Sequence, residues 1–535
     1  MRPWPAPLLL LAPLLLASLS AGATDLVLFN GMLWTGDPAR PAATAIAIED
    51  GRIRAVGDDA AMLALADATT TRIDLKGRRA VPGINDAHVH LDVGLHSIDL
   101  PLRDADLASV RQAVAEQPQD HDRWITADIA PALLDEPGLH NAALDALQPR
   151  RPVFLTGWTG HGTLMNSAAA RALGLDAGQA PPGGWLGRDA LGRFDGRAYE
   201  YAQWQPVRRL PPRPERLREV LRRDTGELLK LGITTIQNLP MRTALPDYLA
   251  AWKDAGSPLR MRVVRVPMPA SLDEPVAYAD LPREVPGQPR VTVSGTKWII
   301  DGTPMERGAA MRQPYPGSTA AGRLNFSPAE LQAILREIHG RGDQAWLHIS
   351  GDTALAAVLD AMAAVAPAAA WRPLRPRIEH GEGLAPDLMA RAAAYGMLLV
   401  QNPSHFMLPA AESGMMRERQ LQPLASASRG GVPLALGSDG PPSPWLNMMF
   451  AVAPASRPDE ALTRAQVLQA YTAGSAYAEF AEGQKGRLAP GYLADLAVLS
   501  QDVLDEAAVP LRALPGTSSM LTVIGGEVAW RDPAM

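Results

Sequence analysis

The chain has 535 residues, 47% of them hydrophobic and 20% charged, which is ordinary globular material sufficient for one large domain and a smaller one. A net charge of −6 and a pI near 6.0, with no basic patch, argue against nucleic acid as a partner. The absence of cysteine removes disulfides, thiolate ligands, a cysteine nucleophile and a lipoprotein anchor.

Residues 1–23 read as a secretory signal. Arg2 supplies a positive start, Leu8 to Leu16 an apolar core, and Ala21-Gly-Ala23 a small-x-small cleavage site. The apolar run is short for a membrane span, and no later stretch approaches about 18 uninterrupted apolar residues. An uncleaved anchor is the rival reading. Export, to a periplasm or outside the cell, is the expectation, with no stable membrane insertion after cleavage.

Residues 24–80 carry short alternating runs such as Leu26 to Phe29, Ala45 to Ile48 and Arg52 to Val56, with Asp50-Gly51 as a hairpin turn. Residues 486–535 repeat this texture in Asp495 to Leu499, Met520 to Ile524 and Glu527 to Trp530. The two ends are therefore expected to build one small β-domain around a long middle, residues 81–485.

The middle opens on Val81-Pro-Gly-Ile-Asn-Asp-Ala-His88-Val-His90. On a strand, residues i and i+2 share a face, so both imidazoles would converge on one point, as a divalent metal requires. Alone, a His-x-His pair on a strand is more often packing or chance than ligation. Further strands are expected at Pro152–Thr156, Ile233–Ile236, Met261–Val264, Lys297–Ile300, Ala345–His348, Arg377–His380, Met397–Val400 and Pro433–Leu436. Glu215 to Leu231, Pro328 to Arg341 (with Ser327 as N-cap) and the Ala-rich Thr353 to Ala370 have helical spacing. Repeated βα units imply a parallel sheet, and this length favours a closed (β/α)8 barrel. No Gly-x-Gly-x-x-Gly turn supports a dinucleotide fold. Residues 99–213 are too long for one βα connection and are expected to form an insertion over the active face.

His348, His380 and Asp439 follow predicted strands, and Lys297 leads into Asp301-Gly302. Barrel enzymes place their active sites at the C-terminal strand ends. Singly, each residue has a structural explanation, such as a cap or a buried ion pair. Their recurrence at the same position in successive strands favours a shared site.

Together these residues resemble the amidohydrolase superfamily, and within it the amidohydrolase-3, YtcJ-like group. The resemblance rests on Pro82 to His90, Gly160-His161-Gly-Thr-Leu-Met-Asn166-Ser167, Pro181-Pro-Gly-Gly184, Gly232 to Gln237, Lys297 with Asp301-Gly302, His348 to Asp352, Ile378-Glu-His380, Gly437-Ser-Asp439 and Gly486 to Leu499, in the family's order. It implies a (β/α)8 TIM barrel with a β-sandwich from both termini. It also implies two divalent metal ions, zinc first, with manganese, iron or cobalt compatible. His88, His90 and Asp439 would hold the buried ion, His348 and His380 the other, and Lys297 would bridge them as an N6-carboxylated lysine. A hydroxide shared by the ions would attack, with Asp439 as general base and then acid. His161 and His405 are implied substrate contacts. Apart from the resemblance, Arg307 is a candidate for meeting a substrate carboxylate, with an ion pair as its plainer role. The sequence departs from the family at Gly437-Ser-Asp-Gly-Pro-Pro442, where Ala-Pro is usual after Asp, and at Glu379-His-Gly-Glu382, where His-Ala-Gln is usual.

The expected activity is hydrolysis of a non-peptide C–N bond, an amide or N-acyl group, in a small molecule. A mononuclear deaminase on the same barrel and a non-catalytic exported binding protein are the alternatives. A homo-oligomer is compatible with either enzyme.

Overall fold

The structure is a computed structural model that describes residues 24–92, 97–119, 123–175, 178–211, 213–269, 271–272 and 283–535. The signal-like segment lies outside the described residues. Among the described residues no single helix is long and apolar enough to cross a membrane.

Eight parallel strands form the central sheet: β1 (Ile84–Val89), β2 (Ile233–Asn238), β3 (Arg260–Arg265), β4 (Val291–Ile299), β5 (Ala345–Ile349), β6 (Arg377–His380), β7 (Leu398–Gln401) and β8 (Leu434–Leu436), paired in that order. A parallel bridge between Val89 and Asp439 joins β8 back to β1, and the Asp439 N–H donates to the His88 carbonyl at 2.7 Å. The sheet is thus a barrel, as the alternation of strand and helix signals implies. Nearly all their residues are buried, and the apolar ones are joined by buried polar groups such as Asn85, Gln237, Arg262 and Arg377. The helices Pro214–Lys230 and Pro328–Gly340 stand where their periodicity places them. Ser327 caps the second in a capping box with Glu330. The Ala-rich segment gives the helix Asp352–Val365, which buries Leu355, Val358, Leu359 and Met362.

One strand expectation is corrected. Pro152–Thr156 does form a strand, Val153–Gly157, but it lies outside the barrel. It pairs in parallel with Trp124–Ile129 and antiparallel with Gly162–Met165, within a six-stranded sheet spanning residues 97–200. The barrel position belongs to β1. A buried strand of either sheet has the same local texture, and only its pairing partners distinguish them.

The terminal segments build two further sheets. One holds Leu26–Phe29, Ala45–Glu49, Arg52–Gly57 and Thr71–Asp74. The other joins Met32–Trp34, Ala42–Ala43 and Arg79–Pro82 to Leu496–Leu499, Ser519–Ile524 and Glu527–Arg531. Leu28, Ile46, Ile48, Leu496, Val498 and Leu521 form the core between them. Arg79–Pro82 pairs with Leu496–Leu499 and then runs directly into β1, so the sandwich anchors the first barrel strand.

The seam between β8 and β1 has no room for a side chain at Gly437, where a Cβ would stand 2.5 Å from His88 Cβ and 2.6 Å from its backbone nitrogen. Gly437→Ala is expected to destabilise the barrel by about 2 kcal/mol through overpacking. Urea or thermal unfolding checks this, and an unchanged midpoint would show that the seam can open at no cost.

Candidate metal centre

The C-terminal mouth of the barrel gathers six of the residues singled out in the sequence. His88 and His90 come from the end of β1, Lys297 from β4, His348 from β5, His380 from β6, and Asp439 from the turn after β8. Lys297 is the seventh of nine residues in β4, further inside the strand than its sequence surroundings indicate.

His88 Nε2 and His90 Nε2 are 3.3 Å apart. Asp439 Oδ1 is 3.2 Å from His90 Nε2 and 3.8 Å from His88 Nε2. Ligand atoms bound tetrahedrally at about 2.1 Å stand about 3.4 Å from one another, so these separations fit three ligands of one ion. His380 joins the same cluster, since His88, His380 and Asp439 each offer a donor atom within 4.8 Å of the others. His380 and His348 lie ring to ring with centroids 4.5 Å apart.

Ring nitrogens of three of these histidines are tied down. His88 Nδ1 pairs with Glu379 Oε2 at 2.5 Å, His90 Nδ1 with the Leu239 carbonyl at 2.8 Å, and His380 Nδ1 with Asn402 Oδ1 at 2.9 Å. Such partners orient an imidazole and raise its donor strength. Sequence reasoning assigned no role to Glu379 or Asn402. The signal for Glu379 was present: Arg377 and Glu379 alternate on a strand otherwise fit for burial, and both are fully buried. Asn402 had no comparable signal.

Burial sets the charge states. It holds the His348 and His380 imidazoles well below the usual range. For His88, burial and the adjacent Lys297 bring the pKa to about 4. Neutral imidazole is the ligating form. Asp439 is pushed up by burial, but His88 and His90 outweigh this and keep it ionised well below the ordinary carboxylate range. Burial also lowers Lys297 to about 8. Its Nζ has no hydrogen-bond partner among the described residues, an unusual position for a buried ammonium. Two residues of the cluster adopt left-handed backbone, His380 at φ 68° and Asp439 at φ 59°. Non-glycine residues bear that strain where the surroundings enforce it, commonly at functional sites.

The three expected substrate contacts divide. His405 reaches the cluster, with Nε2 3.5 Å from Asp439 Oδ2. His161, from the insertion sheet, packs its ring 4.7 Å from that of His348 and pairs through Nδ1 with Glu200 at 3.0 Å. Arg307 instead pairs with the buried Glu412 at 3.0 Å, the plainer of its two roles.

Fold and cluster together define a metal-dependent hydrolase built on a (β/α)8 barrel. The chain belongs to the amidohydrolase family, whose model matches residues 71–529. It is 28% identical to Protein LONG AFTER FAR-RED 3 of Arabidopsis thaliana over 94% of this chain and 91% of that one. It is 26% identical to the N-substituted formamide deformylase of Arthrobacter pascens over 92% and 96% of the two chains. Among solved structures, a metal-dependent hydrolase from Pyrococcus horikoshii OT3 superposes with a TM-score of 0.68 at 21% identity, covering 90% of this chain and 98% of that one.

The His161–Glu200 pair makes a pH prediction for the metal-free protein. Burial lowers the His161 imidazole, but Glu200 more than reverses this, to about 9. A pKa raised on folding stabilises fully below the unfolded value of about 6.5 and is lost as pH rises through about 9. The melting temperature should therefore fall more between pH 6.5 and 9 in the wild type than in Glu200→Gln. Equal slopes would mean that the pair does not share a proton.

Proposed function

We propose that this protein hydrolyses a non-peptide C–N bond, an amide or N-acyl group, of a small-molecule substrate. The reading is carried by the 3.2–3.8 Å spacing of His88 Nε2, His90 Nε2 and Asp439 Oδ1, a donor set suited to zinc and its neighbours. His88, His90 and Asp439 would hold the inner ion, and His348 and His380 the outer. The resemblance to a deformylase of N-substituted formamides supports an N-acyl substrate.

Lys297 is the proposed bridge. Its amine, with a pKa near 8, is uncharged often enough to add to carbon dioxide, forming an N–C bond and releasing a proton. The carbamate anion would relieve a nitrogen that otherwise has no partner among the described residues. Bound ions lower the pKa of water and polarise a carbonyl oxygen. Asp439, ionised at neutral pH, takes the proton of the attacking water and delivers it to the leaving nitrogen. His405, close to Asp439 Oδ2, and His161, beside His348, stand where the substrate enters and orient it. The signal-like residues 1–23 extend the proposal to an exported enzyme.

A second reading has its own observation. His88, His380 and Asp439 lie close enough for one ion by themselves, as a mononuclear deaminase would need. Metal stoichiometry and ammonia release separate the two.

The test is elemental analysis with hydrolysis of N-substituted formamides. Two ions per chain are expected, with activity lost on chelation. Lys297→Ala is expected to lose at least one ion and most activity, and full metal content with full activity would end the carbamate proposal. Asp439→Asn is expected to lose roughly 10²–10⁴-fold in kcat, the usual contribution of a general base.

A further inference from the structure

The sheet of residues 97–200 turns one face to a cavity of about 410 Å³. Side chains alternate along a strand, and the pairing sets Asp99 beside Thr126 and Phe154, and Asp128 beside Thr156, all on that face. The opposite face is apolar: Ile125, Ile129, Val153 and Leu155 share a buried core with Val110 and Val114. Across the cavity the helix Tyr201–Arg208 supplies Trp204 and Val207, and Arg103, Arg216 and Arg242 bring three guanidiniums. Trp204 meets the His161 ring edge to face, with centroids 5.8 Å apart, so the cavity stands beside the candidate metal centre. None of the six residues of that centre lines it.

Three guanidiniums against two carboxylates leave one positive charge in excess, which a single carboxylate neutralises. Asp99 is occupied: it accepts from Ser97 Oγ at 2.8 Å and from Thr126 Oγ1, and Arg216 Nη2 stands 3.9 Å away. Arg216 Nε is buried with no hydrogen-bond partner among the described residues. Arg103 and Arg242 have no ion pair and no side-chain hydrogen bond among the described residues, so Asp128 neutralises neither by contact. Both are nonetheless held. The Arg103 guanidinium lies over the Trp158 ring, 4.7 Å from its centroid. The Arg242 backbone N–H donates to Asp92, which also accepts from Thr243 Oγ1 at 2.5 Å. A guanidinium only donates, stays charged throughout the pH range of a folded protein, and matches a carboxylate with two parallel bonds. Phe154, Trp204 and Val207 add an apolar wall beside these donors. An apolar wall with a few fixed polar groups, at this volume, is the usual form of a small-molecule site.

We propose that this cavity binds a small aryl carboxylate, with Arg103 and Arg242 holding the charge and Phe154, Trp204 and Val207 receiving the ring. The site stands on its own lining and does not depend on the proposed reaction.

The experiment is calorimetric titration of the metal-loaded protein with benzoate, benzamide and acetate. Benzoate and benzamide share a shape and differ in charge, while acetate keeps the charge and lacks the ring. Benzoate is expected to bind at least about tenfold more tightly than either. Arg103→Gln and Arg242→Gln should each weaken benzoate severalfold and leave benzamide within about twofold of its wild-type affinity. The double variant should bring benzoate and benzamide to within about twofold of each other. Both arginines are exposed, so the variants are expected to melt with the wild type, which melting curves check. Benzoate binding unchanged in the double variant would assign the anion to the metal ions and overturn the proposal. No measurable benzoate binding, or equal affinities for benzoate and benzamide in the wild type, would do the same. Acetate binding as tightly as benzoate would overturn the part played by the apolar wall.

Discussion

The site depends on one buried ion pair. Arg377 Nε and Glu379 Oε1 meet at 2.6 Å inside the barrel, both wholly shielded from solvent. Arg377 also reaches Gln237 Oε1 on β2 at 2.6 Å and the Ala87 carbonyl on β1 at 2.8 Å, and it lies over the Trp346 ring on β5. Glu379 in turn holds His88 Nδ1. Four strands are thereby tied together by groups that tolerate burial only while all are paired. Removing one member of such a pair costs roughly 3–5 kcal/mol, because its partner remains as an isolated charge. Burial pushes Glu379 up, yet Arg377 and His88 bring it down to about 2, so it stays an anion and keeps the His88 ring in place.

The same exclusion of water divides the labour among the other groups. Desolvation favours neutral histidines at 88, 348 and 380, while the surrounding imidazoles keep Asp439 charged. A cation bound among them would meet neutral nitrogens and one anion, with little free energy spent on deprotonating ligands. The positive φ at His380 and Asp439 belongs to this preorganisation, since the barrel fixes backbone positions that neither residue prefers.

Around this centre the chain layers its differences. The sheet of residues 97–200 brings His161 and Glu200 to the side of His348. A barrel of this kind holds the reacting groups on strand ends and leaves substrate choice to the loops above them.

Much was legible in the sequence. His88-Val-His90, Lys297, His348, His380 and Asp439 stand out because strand periodicity and position place reactive side chains at one barrel face, and the alternation of strands and helices implied the barrel. The rest depends on contacts between residues far apart in the chain. Pro152–Thr156 reads like a barrel strand, and only its pairing with Trp124–Ile129 and Gly162–Met165 assigns it to the insertion. Arg307 has no partner legible in the sequence, and only the fold brings Glu412, 105 residues away, to its guanidinium. Glu379 and Asn402 look structural until the fold brings them to ring nitrogens of His88 and His380. The sequence by itself determined which groups could do the chemistry, because local pattern specifies residue type and strand face. Tertiary structure alone decided which of them are paired and which stand together at the mouth of the barrel, because burial and partnership are properties of the assembled barrel.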